Sequence, residues 1–284
     1  MDILAQSVVN GLMIGWIYIL VALGLTLVLS IMGIVQLAHG EIYMVGAYIS
    51  YYFCVKAGLN FFLALVISVI LVGLLGIVLE KLLLRPFRGQ VERALIITIG
   101  LILVLQTSVA TLFGTTTEAI HNPISGVLTI LGTRVPWERL IVIIVSIALT
   151  SALILLIQRT KTGQAMIAVS QDREAASLQG ISVDFISSVA MFLGCAMAAG
   201  AGALVGSIFS LNPFMGTFAV MKGIAVIILG GIGSISGVVI AGLILGLIDG
   251  LIPPLLSVHM AGIIGFVVII LILLFRPQGL LGHE

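Results

Sequence analysis

Long apolar stretches dominate the chain, and short polar segments separate them. A helix that crosses the hydrocarbon core of a bilayer, about 30 Å thick, needs roughly 20 apolar residues. Apolar runs close to that length recur, and they predict six membrane-spanning helices at about 7–29, 61–79, 94–113, 140–157, 185–209 and 260–275.

Three further apolar stretches are shorter or contain breaks. They lie at about 219–232, at about 236–252 and at about 31–55, the last interrupted at His39, Gly40 and Glu41. The pattern therefore predicts an all-α fold. We expect a polytopic transmembrane helical bundle of about eight or nine spans with broken helices, formed by residues 1–284 as a single transmembrane domain.

The composition agrees with a lipid-embedded chain. Of its residues 61% are hydrophobic and only 8% are charged, against roughly 25% charged residues in soluble domains. The mean hydropathy is +1.35. So few ionic groups cannot cover a water-soluble surface, and we expect the lipid bilayer to surround most of the chain. The net charge of +1 makes nucleic acid an implausible partner.

Basic residues predict the orientation, because short cytoplasmic loops retain Lys and Arg. If nine spans alternate, one side carries Lys81, Arg85, Arg88, Arg93, Arg159, Lys161, Arg173 and Arg276. This asymmetry predicts an N-terminus outside the cell and a C-terminus in the cytoplasm. It also makes the longest polar segment, about 158–184, a cytoplasmic loop.

Two parts of the chain share a pattern that suggests internal duplication. In residues 24–48 and again in residues 202–223, an apolar helix reaches a break of polar residues and glycine and then resumes. Five spans separate the two starts, so the copies would be inverted relative to each other. Inverted repeats with broken helices at matching positions are typical of transporters.

Polar residues and glycines inside the apolar stretches are the candidates for a translocation pathway. An ionisable group at the bilayer centre costs roughly 2.5–3.5 kcal/mol, so such groups are functional candidates. Irregular backbone at membrane depth survives only inside protein or beside a water-filled cavity. The candidates are Gln36, His39, Gly40, Glu41, Asn212, Pro213, Lys222, Gly230, Gly231 and Gly233.

Structural explanations compete with this one. His39 and Glu41 could instead satisfy backbone groups freed at the helix break. Lys222 could extend from the outer edge of the membrane to the lipid headgroups, and Asp249 could simply reach the interface. No metal site is expected, because His39 has no second His or Cys nearby in the sequence.

The loop at about 158–184 can form one short amphipathic helix from Gly163 to Leu178, and Gly180 is well placed to end it. Two interpretations remain open for this helix. It is either a solvated connector or a docking element for a cytoplasmic partner.

Several blocks of sequence resemble one known family. Residues 174–181 (EAASLQGI) resemble the EAA---G coupling motif of bacterial ABC importer permeases. Residues 38–48 (AHGEIYMVGAY), 159–181, 229–237 (LGGIGSISG) and 276–282 (RPQGLLG) resemble blocks of the branched-chain amino acid permeases of the LivH type. The blocks stand in the family's order and cover nearly the whole chain.

The resemblance implies the membrane-spanning permease subunit of an ATP-driven importer in the bacterial inner membrane. Its implied partners are a periplasmic solute-binding protein, two cytoplasmic ATPase subunits and a second permease, either a sister chain or another copy. The residues that would couple to the ATPases are Gly163, Arg173, Glu174, Ala175, Ala176 and Gly180. The chain has no G-x-x-x-x-G-K-[ST] phosphate loop, so we expect no enzymatic activity and no cofactor of its own.

The substrate stays open at this point. The family handles mostly branched-chain and related aliphatic amino acids, and relatives take urea or short amides. A stand-alone secondary transporter or channel would need an ion-coupling site, and candidate carboxylates are sparse: Glu41, Glu80 and Asp249. A membrane enzyme would need clustered acid–base groups, but the four histidines, at positions 39, 121, 259 and 283, are scattered.

Overall fold

The computed structural model describes residues 2–120, 126–130 and 133–282. The described part is almost entirely helical, with one short antiparallel hairpin. The helices are α1 (Asp2–Met32), α2 (His39–Tyr51, continued by a wider turn at Tyr52–Lys56), α3 (Phe61–Leu79, continued through Glu80–Leu84 and Arg85–Phe87), α4 (Val91–Phe113), α5 (Trp137–Arg159), α6 (Lys161–Gln171), α7 (Arg173–Leu178), α8 (Val183–Gly206), α9 (Met215–Gly230), α10 (Ile235–Leu251) and α11 (Val258–Phe275). The hairpin pairs β1 (Val127–Ile130) with β2 (Thr133–Pro136).

The helices correspond to the predicted spans. In the part of the chain that the structure describes, five helices are long and apolar enough to cross a membrane, namely α1, α3 with its continuation, α4, α5 and α8. The shorter apolar helices α9, α10 and α11 match the remaining predicted stretches, and α2 forms the second part of the interrupted one. The prediction of an all-α membrane bundle is confirmed.

The first helix break lies earlier than the sequence suggested. Gly33 ends α1 with a left-handed backbone (φ +64°), and its N–H donates to the Leu29 carbonyl at 2.8 Å. Residues 33–38 are not helical, and His39 already belongs to the first turn of α2. The prediction that His39–Glu41 interrupts the helix is therefore wrong. The polar residues begin the new helix, whereas the glycine that can adopt positive φ ends the old one.

The packing has the symmetry of an inverted duplication. Helix α1 packs on α8, α9 and α10, while α8 packs on α1, α2 and α3. Exchanging α1 with α8, α2 with α9 and α3 with α10 leaves this pattern unchanged. Helix α1 ends at Gly33 beside Arg173, in the segment that leads into α8, so α1 and α8 run in opposite directions through the bundle.

We call the end of the bundle that contains Gly33 and Arg88 the inner end, and the opposite one, with Tyr51, the outer end. At the outer end the backbone of Glu118 pairs with that of Leu211 through bonds of 3.0 and 2.7 Å. The Tyr51 hydroxyl also donates to the Glu118 carboxylate at 2.7 Å. These bonds join the loop after α4 to the second helix break, residues 207–214.

Candidate translocation site and docking surface

A largely apolar cavity of about 570 Å³ opens in the bundle where α1, α9, α10 and α11 meet. Aliphatic and aromatic side chains, including Ile14, Phe218 and Phe266, form most of its wall. Charged groups enter the wall at Lys222 and Asp249. A mostly apolar cavity of a few hundred Å³ with a few convergent polar groups is the usual form of a small-molecule site.

The two charges in the cavity wall form an ion pair. The Lys222 ammonium lies 2.6 Å from Oδ2 of Asp249, and both side chains are 12% exposed. The Tyr18 hydroxyl donates to the same oxygen at 2.7 Å, and the ammonium lies 5.6 Å from the ring centres of Tyr18 and Phe218. The ion pair contradicts the alternative in which Lys222 extends to the lipid headgroups. The opposite charges of Lys222 and Asp249 are held together inside the bundle.

The second half of the site is the crossing of α2 and α9, close to their N-termini. A β carbon on Gly216 would lie 2.5 Å from the carbonyl oxygen of Gly40, and one on Gly40 would overlap the carbonyl of Gly216. The two backbones are thus in direct contact, which no larger residue would permit. Each glycine is the second residue of its helix.

Glu41 lies at this crossing. Its carboxylate is almost fully buried and accepts a hydrogen bond from the Gln106 amide of α4 at 2.9 Å. The other carboxylate oxygen faces the start of α9, 2.6 Å from where a β carbon on Gly216 would lie. Glu41 therefore connects the first helix break to α4 and to the beginning of α9.

His39 and Gln36 are fully buried at the first break. The His39 ring packs on the backbone of α1, with Nε2 2.9 Å from where a β carbon on Gly24 would lie. Within the described residues, the side-chain amide of Gln36 has no hydrogen-bond partner. A buried amide without a partner is unfavourable for stability, which makes Gln36 a candidate for a role other than folding.

The remaining predicted pathway residues separate into two groups. Asn212 lines the cavity. Its Oδ1 accepts a hydrogen bond from the Phe214 N–H at 2.9 Å, so Asn212 also forms the turn that precedes α9. Pro213, between these two residues, is buried. Gly230, Gly231 and Gly233 do not line the cavity, because they lie at the inner end.

The glycine-rich turn at the inner end meets the C-terminal tail. Leu280 donates its N–H to the Leu229 carbonyl at 2.8 Å, and Leu281 donates to that of Gly230 at 3.1 Å. Gly230 and Gly231 are buried beneath this tail, whereas Gly233 is exposed. Two of the motifs noted in the sequence, at 229–237 and 276–282, thus form one structural unit.

A cluster of charges at the inner end was not predicted. Glu80 is fully buried and accepts from Arg85 at 2.8 Å, Arg88 at 2.9 Å and Ser188 at 2.8 Å. Both arginines also pair with Asp184 at the start of α8. The local sequence showed only two acidic residues, Glu80 and Glu92, among the basic residues that follow α3. The cluster joins the inner ends of α3 and α8.

No group of three or more potential metal ligands occurs within the described residues. Of the four scattered histidines, His121 and His283 lie outside the described residues.

The loop at 158–184 contains two helices rather than one. Asp172 adopts an extended backbone between α6 and α7, and its Oδ1 accepts from the N–H groups of Glu174 at 2.8 Å and Ala175 at 3.0 Å. The prediction of a single helix is wrong because Asp172 is a strong N-cap. Gly180 ends α7 with φ +80°, as predicted.

The predicted coupling residues face different ways. Glu174, Ala175 and Gly180 are exposed at the inner end, and Leu178 beyond them is 86% exposed. Ala176 is buried. Gly163 is buried as well, because a side chain there would overlap the backbone of Ile157. Gly163 therefore forms the tight turn between α5 and α6 and is not part of the surface.

Arg173 points inward to the first helix break. Its Nη2 lies 3.0 Å from where a β carbon on Gly33 would be. Burial lowers the pKa of the Arg173 guanidinium, and the neighbouring positive charge of Arg88 lowers this pKa further. Arg173 thus joins the exposed helix α7 to the residue that ends α1.

Comparison with known proteins agrees with this architecture. A family model described as "Branched-chain amino acid transport system / permease component" matches residues 7–273. The chain belongs to this permease family. It is 33% identical to the high-affinity branched-chain amino acid transport system permease protein LivH of Escherichia coli, over 98% of this chain and 95% of the relative.

Other members are similar over comparable lengths. The permease protein BraD of Pseudomonas aeruginosa is 32% identical over 98% of this chain and 95% of its own. A probable LivH of Methanocaldococcus jannaschii is 26% identical over 94% of this chain and 89% of its own. No solved structure matches the chain. This permease is thus a multi-pass membrane protein whose relatives are named as transport subunits.

Proposed function

We propose that this chain is the membrane-spanning subunit of an ATP-driven, binding-protein-dependent importer that moves branched-chain amino acids inward across a bacterial inner membrane. The observation that carries the proposal is the similarity to LivH and BraD over 98% of the chain. The cavity supports it chemically. An apolar wall suits an aliphatic side chain, and the Lys222–Asp249 pair offers opposite charges to a zwitterion.

The partners follow from the same proposal. Two ATPase subunits would drive the complex, and one of them would dock on the exposed surface of α7, where Ala175 and Leu178 present a small apolar patch beside Glu174. A periplasmic binding protein would deliver the solute at the outer end. A second permease, either a sister chain or another copy of this one, would complete the pore.

The charged groups of the bundle weigh against both alternative functions, an amide importer and a secondary transporter. An importer for urea or short amides would share the fold, but an ion pair in the cavity wall favours a charged or zwitterionic solute. A secondary transporter needs a carboxylate that can exchange a proton or cation. The three candidates have other partners: Asp249 pairs with Lys222, Glu80 with two arginines, and Glu41 with Gln106.

Uptake by the assembled complex tests the proposal. The chain is co-expressed with candidate permease and ATPase subunits from the same organism, reconstituted into vesicles, and supplied with a candidate binding protein and radiolabelled L-leucine or urea. We expect leucine uptake that requires ATP, the ATPase subunits and the binding protein. Leucine uptake without the ATPases would identify a secondary transporter, and uptake of urea alone would identify an amide importer.

A further inference from the structure

The ion pair of Lys222 and Asp249 lies deep in the bundle rather than at its surface. Asp249 is 14 residues beyond the start of α10 at Ile235, and Tyr18 is 14 residues before the inner end of α1 at Met32. At 1.5 Å per residue, both lie about 21 Å from the inner end. If a hydrocarbon layer about 30 Å thick begins at this inner end, the pair lies about two thirds of the way across it.

Folding alone does not account for this pair. Two charges taken out of water are seldom more stabilising than well-packed apolar residues of similar size. The helices that carry them already pack closely by other means: a β carbon on Gly15 of α1 would lie 3.0 Å from the carbonyl of Gly242 in α10. An ion pair at this depth calls for a function.

Both groups face the cavity. The Tyr18 hydroxyl donates to the Asp249 carboxylate. The rings of Tyr18 and Phe218 lie near the Lys222 ammonium, and such contacts stabilise a cation. Most of the remaining wall is apolar.

We propose that Lys222 and Asp249 form a binding site for the zwitterionic head of an α-amino acid within the membrane. The solute carboxylate takes the place of Asp249 on the Lys222 ammonium, and the solute ammonium binds Asp249, while Tyr18 continues to donate to that carboxylate. The aliphatic side chain lies against the apolar wall near Phe218. This inference deepens the proposed function and rests on it.

The balance of charges makes this site selective for a zwitterionic solute. The empty site is neutral because its two charges satisfy each other, and the occupied site is neutral because two solute charges are inserted between them. A neutral amide would separate the pair without replacing either partner, and leaving a buried charge unpaired is unfavourable. The site therefore favours amino acids over urea and short amides, the two classes that the sequence left open.

Ligand-dependent thermal unfolding of the full chain in lipid nanodiscs tests the site. The probes are L-leucine, 4-methylpentanoate (which lacks the ammonium), leucinamide (which lacks the carboxylate) and the neutral 4-methylpentanamide. We expect L-leucine to raise the unfolding temperature at concentrations at least tenfold lower than any of the other three. A wild-type chain that responds equally to 4-methylpentanamide, or does not respond to L-leucine, would overturn the proposal.

A neutral double variant separates binding from folding. Lys222→Met with Asp249→Leu removes both charges together, so no unpaired charge remains, and the unfolding temperature without ligand should stay close to that of the wild type. The variant should lose the L-leucine response by tenfold or more. Lys56→Met, at the exposed outer end, is the matched control and should respond like the wild type. If the double variant retains the response, Lys222 and Asp249 do not bind the solute.

Transport by the reconstituted complex distinguishes a failure of the proposed binding site from a failure of the importer function. Leucine uptake by the wild-type complex together with unimpaired uptake by the neutral double variant would refute the site and leave the importer function standing. No uptake of any amino acid by the wild-type complex would refute the importer function itself.

Discussion

The guanidinium of Arg173 covers Gly33: a β carbon on Gly33 would lie 3.0 Å from Nη2 of Arg173. Gly33 ends α1 and begins the irregular segment that leads to His39 and Glu41. Arg173 is the first residue of α7, next to the surface on which we expect the ATPases to dock. This contact offers a short physical route from ATPase movement to the first helix break.

Alanine at Gly33 tests this route. An L-residue in the left-handed conformation costs roughly 1–2 kcal/mol, and the new methyl group would also displace Arg173. We expect Gly33→Ala to lower both the unfolding temperature and the solute-stimulated ATPase rate of the reconstituted complex. Combining it with Arg173→Ala removes the clash, although it also removes the native contact.

Gly58→Ala is the matched control for this variant. Gly58 has a similar positive φ of +68°, but nothing lies within 4 Å of its added β carbon. It should therefore lose comparable stability while stimulation of the ATPase stays normal. Equal loss of stimulation in both variants would show that the effect comes from stability and not from the Arg173 contact.

Leu178→Asp tests the docking surface. Leu178 is 86% exposed, so the substitution should change the stability of the chain by less than about 0.5 kcal/mol. An acidic group in the apolar patch should nevertheless reduce co-purification of the ATPase subunits. Val127→Asp, a 58% exposed position at the outer end, should leave co-purification unchanged. ATPase recovery with Leu178→Asp at the wild-type level would place the docking surface elsewhere.

Gly40→Ala tests the crossing of α2 and α9. The added methyl group would overlap the Gly216 carbonyl, and overpacking of this kind typically costs about 1–3 kcal/mol. Gly100→Ala is the control, since that helical glycine has open space around it and alanine there should be neutral or slightly stabilising. Thermal unfolding in detergent compares them, and equal stability of the two variants would contradict the close approach.

Gln36→Leu and Gln106→Leu should have opposite effects on stability. Gln36 is buried without a partner among the described residues, so leucine removes an uncompensated desolvation cost of about 1–3 kcal/mol. Gln106→Leu instead removes a hydrogen bond from the buried Glu41 and should destabilise the chain. We expect Gln36→Leu to raise the unfolding temperature and to slow leucine uptake. A lower unfolding temperature for Gln36→Leu would indicate that its amide has a stabilising partner.

The sequence predicted the membrane helices because hydrophobic length is a property of each segment alone. It placed the first break wrongly, since the polar residues at 39–41 gave a stronger signal than Gly33, which ends the helix through its backbone conformation. It also divided the docking loop wrongly. Asp172 lies within the predicted helix, whereas in the structure its side chain caps α7.

The candidate site could be predicted only in part. Lys222 and Asp249 were noted separately, but their pairing depends on how α9 and α10 pack, and 27 residues separate them. The cluster around Glu80 depends in the same way on the distant residues Ser188 and Asp184. Pairings of this kind are tertiary properties, and no local pattern records them.

The contact between Gly40 and Gly216 restricts which residues can stand at these two positions. Each glycine meets the backbone of the other, so neither helix has a side chain that could be shortened to make room for a larger residue. A substitution at one position cannot be compensated at the other, and both positions require glycine for as long as α2 and α9 cross at this distance.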